Sequence, residues 1–266
     1  MRVFLAGLCL LIASFTYADT LRVVSVAPVV TEILYLLGAE SQLVGNTTSC
    51  TYPKAAMKIA KVGDFITPSL ERIVALHPNL IIGMGNNASP QVSKLREWGI
   101  KTMILDVPET FNGVYDLIFR VGQMLGKSQQ AARVVTDLKK RVGELERTKP
   151  SRLVPTLMLI WTPPTMAVGP KTFISQMLSV AGYRNIVTDE TVQFPKVNAE
   201  AILAGDPTVI ISGDPRLVGV IRSQGWFQSL DTQHPLHLIS DIDPDLLLRP
   251  GPRFVEGIRQ LRARLK

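Results

Sequence analysis

The chain has 266 residues, 46% of them hydrophobic and 19% charged, with a formal net charge of +7. That length allows one large domain or two smaller ones. Two cysteines leave no disulfide framework, and basic residues without a Lys/Arg block or interleaved aromatics argue against a nucleic-acid interface.

Residues 1–18 read as a cleavable export signal. Arg2 supplies the positive start, Val3 to Phe15 an apolar stretch, and Thr16-Tyr17-Ala18 a small-x-small cleavage site. The stretch is shorter than the roughly 20 residues that a spanning helix needs. Cys9 lacks the small residue that a lipidation signal requires just before it. The mature chain is expected to begin near Asp19 and to keep one cysteine, Cys50, read as a small buried residue.

The first half then alternates strands and helices. Residues 21–26 (LRVVSV) form a strand and VVTEILYLL a helix stopped at Gly38. LVGNT and NLII are strands, SPQVSKLREW a helix ended by Gly99, and KTMIL a strand. SQQAARVVTDLKKRVGELERTK (128–149) has no proline and a helical stripe at Ala131, Val134, Val135, Leu138, Val142 and Leu145. At about 1.5 Å per residue it spans roughly 30 Å, enough to bridge two lobes, and it is too short to favour a coiled-coil dimer. In the second half TLMLIW, TVIIS and LHLIS are strands, TFISQMLSVA is a helix ended by Gly182, and PRFVEGIRQLRARL closes the chain. Such alternation predicts an α/β fold of two Rossmann-like lobes with parallel sheets, at 19–127 and 150–266, joined by the single helix 128–149.

An internal echo supports this division. LERIVALHPNLII (70–82) aligns without gaps on AEAILAGDPTVII (199–211) at an offset of 129, matching Glu71 with Glu200, Ile73 with Ile202, Ala75 with Ala204 and Pro78 with Pro207. Each copy reads as a helix, a proline stop and a strand buried on both faces. Glu71 and Glu200 lie in first turns, where the helix dipole favours an acid. A paired docking surface for basic residues of a two-fold partner is the other reading.

Ligands of open α/β sheets sit beyond the carboxyl ends of strands. Here those ends are Ala27-Pro28, the loop Gly83-Met84-Gly85-Asn86-Asn87, the loop Trp161-Thr162-Pro163-Pro164, Gly213-Asp214, and 241–252. Tyr52, Phe65, Trp161 and Phe194 are the aromatics placed to flank a planar apolar ligand, whereas Trp98 and Trp226 read as packing residues. His77, His234 and His237 form no zinc-type triad, and no nucleophile elbow is present. No catalytic or metal-ligating residue, and no cofactor, is therefore assigned.

Three stretches carry a family resemblance: RVVSVAPVVTEILYLLGAESQLVGNTTSCTYP, KVGDFITPSLERIVALHPNLII and RPGPRFVEGIRQL. They resemble the periplasmic binding proteins of the cobalamin and iron-siderophore ABC importers, closest to the cobalamin branch. The resemblance implies a class III periplasmic binding protein, with two lobes on one rigid helix and limited closure. It implies a non-enzymatic periplasmic monomer that hands a corrinoid to an ABC permease dimer with its ATPase subunits. Glu71 and Glu200 fall on the glutamates that dock onto permease arginines in such proteins. Tyr52, Phe65 and Phe194 fall on aromatic cleft positions, while Ser49 and Met84 stand where the enteric cobalamin binder looks aromatic. The strand ends and the resemblance together give the expected cleft residues as Pro28, Tyr52, Phe65, Met84, Gly85, Trp161, Phe194, Asp241 and Arg249, with Asp243 beside them. A ferric siderophore or haem, drawn in by Arg216, Arg249 and Arg253, is the other ligand class the resemblance allows.

Overall fold

The computed structural model describes residues 21–85 and 90–265; the expected export signal at 1–18 and the cleft-loop residues Asn86-Asn87 lie outside them. The first sheet contains β1 (Val23–Ser25), β2 (Leu43–Asn46), β3 (Leu80–Met84) and β4 (Lys101–Leu105). Its order is β2-β1-β3-β4 and every pair is parallel. Parallel neighbours need crossovers, supplied here by α1 (Pro28–Leu36), α2 (Leu70–Ala75) and α3 (Pro90–Glu97). Strands β1 and β3 are buried along their whole length, which explains their unbroken apolar sequences. Proline opens α1, and Gly38, at φ +63°, turns the chain away after it.

Two helices follow. In α4 (Phe111–Met124), Thr110 caps the start by accepting a hydrogen bond from the Gly113 amide at 3.1 Å. In α5 (Ser128–Arg147), a 20-residue helix, Ala131, Leu138 and Val142 are buried. The two helices approach closely at Gly122, where a Cβ would lie 2.5 Å from that of Ala131. Helix α5 also packs against α6 and α11 of the second lobe (defined below), so it carries the chain between the sheets.

The second sheet contains β5 (Val154–Trp161), β6 (Met166–Ala167), β7 (Tyr183–Asn185), β8 (Val209–Ser212) and β9 (His237–Ile239). Its main path is β6-β5-β8-β9, with β7 also paired to β5. All pairs are parallel except β5–β6, a short hairpin through 162–165 that the sequence pattern did not reveal. Around it lie α6 (Phe173–Ala181), α7 (Ala199–Gly205), α8 (Val218–Arg222), α9 (Gly225–Gln233), α10 (Pro244–Leu248) and α11 (Phe254–Arg262).

The echo is structural as well as sequential. Ser69 and Asn198 cap α2 and α7, each side chain accepting from the amide three residues on. His77 and Asp206, equivalent in the repeat, have φ of +46° and +44° and are the only non-glycine residues of positive φ among the described residues. Each ends its helix just before the matched proline.

One buried apolar cluster runs through both lobes. Phe111 of α4 meets Phe173 of α6 edge-on at 5.6 Å and Phe254 of α11 at 4.7 Å. Tyr115 joins them at 6.2 Å from Phe254. The lobes thus share a core in addition to the helix that connects them.

Candidate ligand-binding cleft

The carboxyl ends of β1, β3 and β4 face the segment that follows α10. Between them lies a cleft of about 500 Å³, within the range of small-molecule sites. Pro28 and Val29 at the start of α1, Ser49, Phe65, Met84 and Gly85 line it from the first lobe. Leu248, Arg249 and Pro250 close it from the second. Gly85 is left-handed at φ +57°, and a Cβ there would lie 2.9 Å from Val107, another wall residue. Glycine therefore allows β3 to turn sharply at the cleft wall. An adjoining recess of about 250 Å³ shares Val107, Leu248 and Pro250 and brings in Phe173 and Phe194. Glu109 accepts a hydrogen bond from Gln193 across it, linking the lobes again.

An ion network forms the wall behind this cleft. Glu32, buried in α1 of the first lobe, accepts two hydrogen bonds from Arg253 of the second, each 3.0 Å long. Arg249 Nη1 lies 2.9 Å from Asp245 and 3.6 Å from Glu32, and its Nη2 lies 3.5 Å from the Ser49 carbonyl. Burial pushes the Glu32 carboxyl above its usual range, against the opposing pull of Arg253 and Arg249. Burial likewise raises Asp245, opposed by Arg249. Arg249 is the cation that borders the apolar cleft. The arrangement can hold a bulky apolar body and an anionic or acceptor group.

Lys61 shapes the loop that leads to Ser49. Its ammonium donates to Asn46 Oδ1 at 2.7 Å and to the Ala56 carbonyl at 3.1 Å, with the Thr47 and Cys50 carbonyls at 3.3 and 3.4 Å. Cys50 is buried as expected, its sulfur accepting from the Thr31 hydroxyl at 3.2 Å.

Of the predicted cleft residues, Pro28, Phe65, Met84, Gly85 and Arg249 come together, and Phe194 stands in the adjoining recess. Three others go elsewhere. The Tyr52 ring covers the Arg253 guanidinium at 4.0 Å and borders a separate groove with Glu32, Tyr35 and Arg141; the cation draws the aromatic face away from the cleft. Trp161 is half exposed, its indole N–H donating to the Pro163 carbonyl at 2.9 Å. Asp241 pairs with Arg264 at 2.7 Å, beyond the far end of α11. Asp243 caps α10, accepting from the Asp245 amide, and Arg216 is held by Asp214. Trp226 is buried, but Trp98 is 57% exposed, because α3 packs through Leu95 and the chain turns at Gly99. The sequence reading missed Glu32, whose one signal was an acid inside an otherwise apolar helix. Among the described residues no group of three His, Cys, Asp or Glu could hold a metal, and no helix is long and apolar enough to cross a membrane.

Two α/β lobes facing across an apolar cleft define a solute-binding architecture, and comparison with known proteins places it. The model of the periplasmic binding protein family matches residues 23–234; the chain belongs to that family. Over 96% of its length it is 30% identical to the vitamin B12-binding protein of Photorhabdus laumondii, covering 92% of that protein. It is 29% identical to an ABC transporter substrate-binding lipoprotein, YvrC, of Bacillus subtilis, over 90% of this chain and 78% of that one. In fold it resembles the haem-binding protein BhuT in complex with two haems (TM-score 0.80, 22% identity, 91% and 97% of the two chains). It also resembles the vitamin B12-binding protein BtuF of Vibrio cholerae (TM-score 0.73, 24% identity, 91% and 95%). The chain is thus a binding component of the ABC-importer type.

Proposed function

We propose that the protein is exported through the signal at 1–18, captures cobalamin or a related corrinoid in the periplasm, and delivers it to an ABC permease dimer without chemistry of its own. The observation that carries the ligand assignment is an apolar cleft bordered by one arginine, in a chain similar along nearly its whole length to a vitamin B12-binding protein. Phe65, Met84, Val107 and Leu248 would take the macrocycle, with Phe194 at its edge. Arg249 would hold an acceptor group on its rim. Phe65 occupies the segment in which haem binders of this fold often carry a tyrosine, and the described lining residues of the cleft include no tyrosine or histidine. Both points favour a corrinoid over haem. The exposed Glu71 and Glu200 would engage basic residues of the permease.

Isothermal titration with cyanocobalamin tests the assignment. Affinity at or below about 1 μM is expected, and no binding at tens of micromolar, a weak limit for a capture protein, refutes it. Haemin titrated in parallel decides between the two ligand classes. Arg249→Ala should weaken corrinoid binding about tenfold, in line with the loss of a charged hydrogen-bond donor.

A further inference from the structure

Residues 47–60 leave the end of β2 and return at Lys61. Backbone closes the base of this loop: the Asn46 amide donates to the Ala60 carbonyl and the Val62 amide to the Asn46 carbonyl, each at 2.9 Å. Asn46, Thr47, Cys50 and Ala56 are buried, and buried oxygens need donors. The Lys61 ammonium reaches all four residues, the Asn46 side-chain oxygen at 2.7 Å and the carbonyls of Ala56, Thr47 and Cys50 at 3.1, 3.3 and 3.4 Å. An ammonium has three N–H donors and no acceptor, so the four oxygens share it and are drawn to one point. Lys61 enters no ion pair among the described residues, and burial holds its pKa below the ordinary 10.5. Oxygen dipoles, not a carboxylate, answer its charge.

The loop carries two contacts to the second lobe. The Ser49 carbonyl faces Arg249 Nη2 at 3.5 Å, and the Tyr52 ring covers the Arg253 guanidinium at 4.0 Å. Between them in sequence, Cys50 gives its carbonyl to Lys61 and its sulfur to the Thr31 hydroxyl of α1. The tip of the loop is therefore pinned from two sides, one residue away from Ser49.

We propose that Lys61 is a positioning residue of the ligand cleft: by gathering the loop oxygens on one ammonium it fixes the Ser49 carbonyl against Arg249, and so sets where that guanidinium meets the ligand. The proposal rests on ligand capture in this cleft and adds a residue that stands outside its lining. A compact charge on a flexible stem suits this task, because it can be shared among converging oxygens. The planar fork of a guanidinium cannot converge on one point in the same way.

The test reads Arg249 directly. In the ligand-free protein its Nε–H signal in a nitrogen–proton correlation spectrum, identified by its loss in Arg249→Ala, should shift in Lys61→Ala. It should return toward wild type when methylammonium chloride refills the oxygen cage, but not with the bulkier tetramethylammonium chloride. Titrated with cyanocobalamin, Lys61→Ala should bind about fivefold more weakly than wild type. The double variant Lys61→Ala with Arg249→Ala should bind no more weakly than Arg249→Ala alone, because both act through one contact. An unmoved Arg249 signal, a shift that both salts reverse equally, or affinity losses that add would each overturn the proposal. Should Lys61→Ala not fold, Lys61→Arg takes its place, with the same shift and the same non-additivity expected. Failure of the wild type to bind cyanocobalamin strikes the corrinoid reading alone, and the Arg249 signal then decides the role of Lys61.

Discussion

Arg253 and Phe254 are neighbours at the start of α11, and each ties the second lobe to the first by a different physics. Phe254 is 1% exposed and packs against Phe111 and Tyr115 of α4. Arg253 reaches Glu32 of α1 through two hydrogen bonds. The aromatic seam is non-directional: it needs apolar area removed from water and tolerates small rotations. The ionic seam is directional: two parallel N–H···O bonds fix the angle between a guanidinium and a carboxylate. Their adjacency teaches how labour is divided where the two lobes meet. Apolar burial holds the lobes together, and the ion pair sets the orientation in which they are held.

The largest effect is expected from breaking the aromatic seam. Phe254→Ala should cost about 3–5 kcal/mol, the range for a buried phenylalanine emptied into a packed cluster, read as a lowered urea midpoint. In the ionic seam Glu32→Ala should cost about 3 kcal/mol by removing both short hydrogen bonds of Arg253 and leaving it only the Asp243 carboxylate, at 3.7 Å. Adding Arg253→Met should restore most of that, because an apolar replacement of both partners removes two desolvation penalties together. A double variant as destabilised as Glu32→Ala alone would mean that the pair is a net source of stability, and costs that simply add would mean that the two side chains are uncoupled.

Acid titration separates the seams further. Glu32 is the more buried partner, its side chain 3% exposed against 17% for Arg253, and its carboxyl is raised above the ordinary 4.5 chiefly by that burial. Between 4.5 and the raised value the folded state holds a proton that the unfolded chain has released. The Glu32 contribution to stability must therefore fall as pH rises through that window and level off above it. Glu32→Gln should make this slope shallower, leaving the share that Asp245 contributes, while Phe254→Ala keeps it. Identical pH profiles for wild type and Glu32→Gln would exclude the assignment.

The contrast between seams also marks what the sequence can disclose. Strands β1, β3, β5 and β8 were legible because burial on both faces writes a continuous apolar run. Helices α1 and α6 were legible because glycine marks their ends. The repeat located both helix tips, since the same cap, anchor and proline recur at one offset. The ionic seam was not legible. Glu32 and Arg253 are separated by 221 residues, and no local rule links an acid in an apolar helix to an arginine after a distant loop. Helix α4 was passed over although its apolar face packs beneath α5. The cleft was half legible: strand ends named Pro28, Met84, Gly85 and the stretch 241–252 that holds Leu248, but Val107 carries no mark in sequence that separates it from ordinary core residues.

Asp241 provides the smallest and sharpest test, because strand-end logic placed it at the cleft and the structure ties it to Arg264 instead. The Arg264 hydrogen bonds hold its carboxyl below the usual 3.8. The stabilising contribution is then fully present above 3.8 and disappears as pH falls through the depressed value. The side chain is 71% exposed, so solvent screening limits the effect of Asp241→Asn at neutral pH to under about 1 kcal/mol. Ligand affinity should be unchanged by the same substitution, in contrast to Arg249→Ala, whose side chain borders the cleft. A loss of affinity in Asp241→Asn comparable to that in Arg249→Ala would return residue 241 to the binding surface.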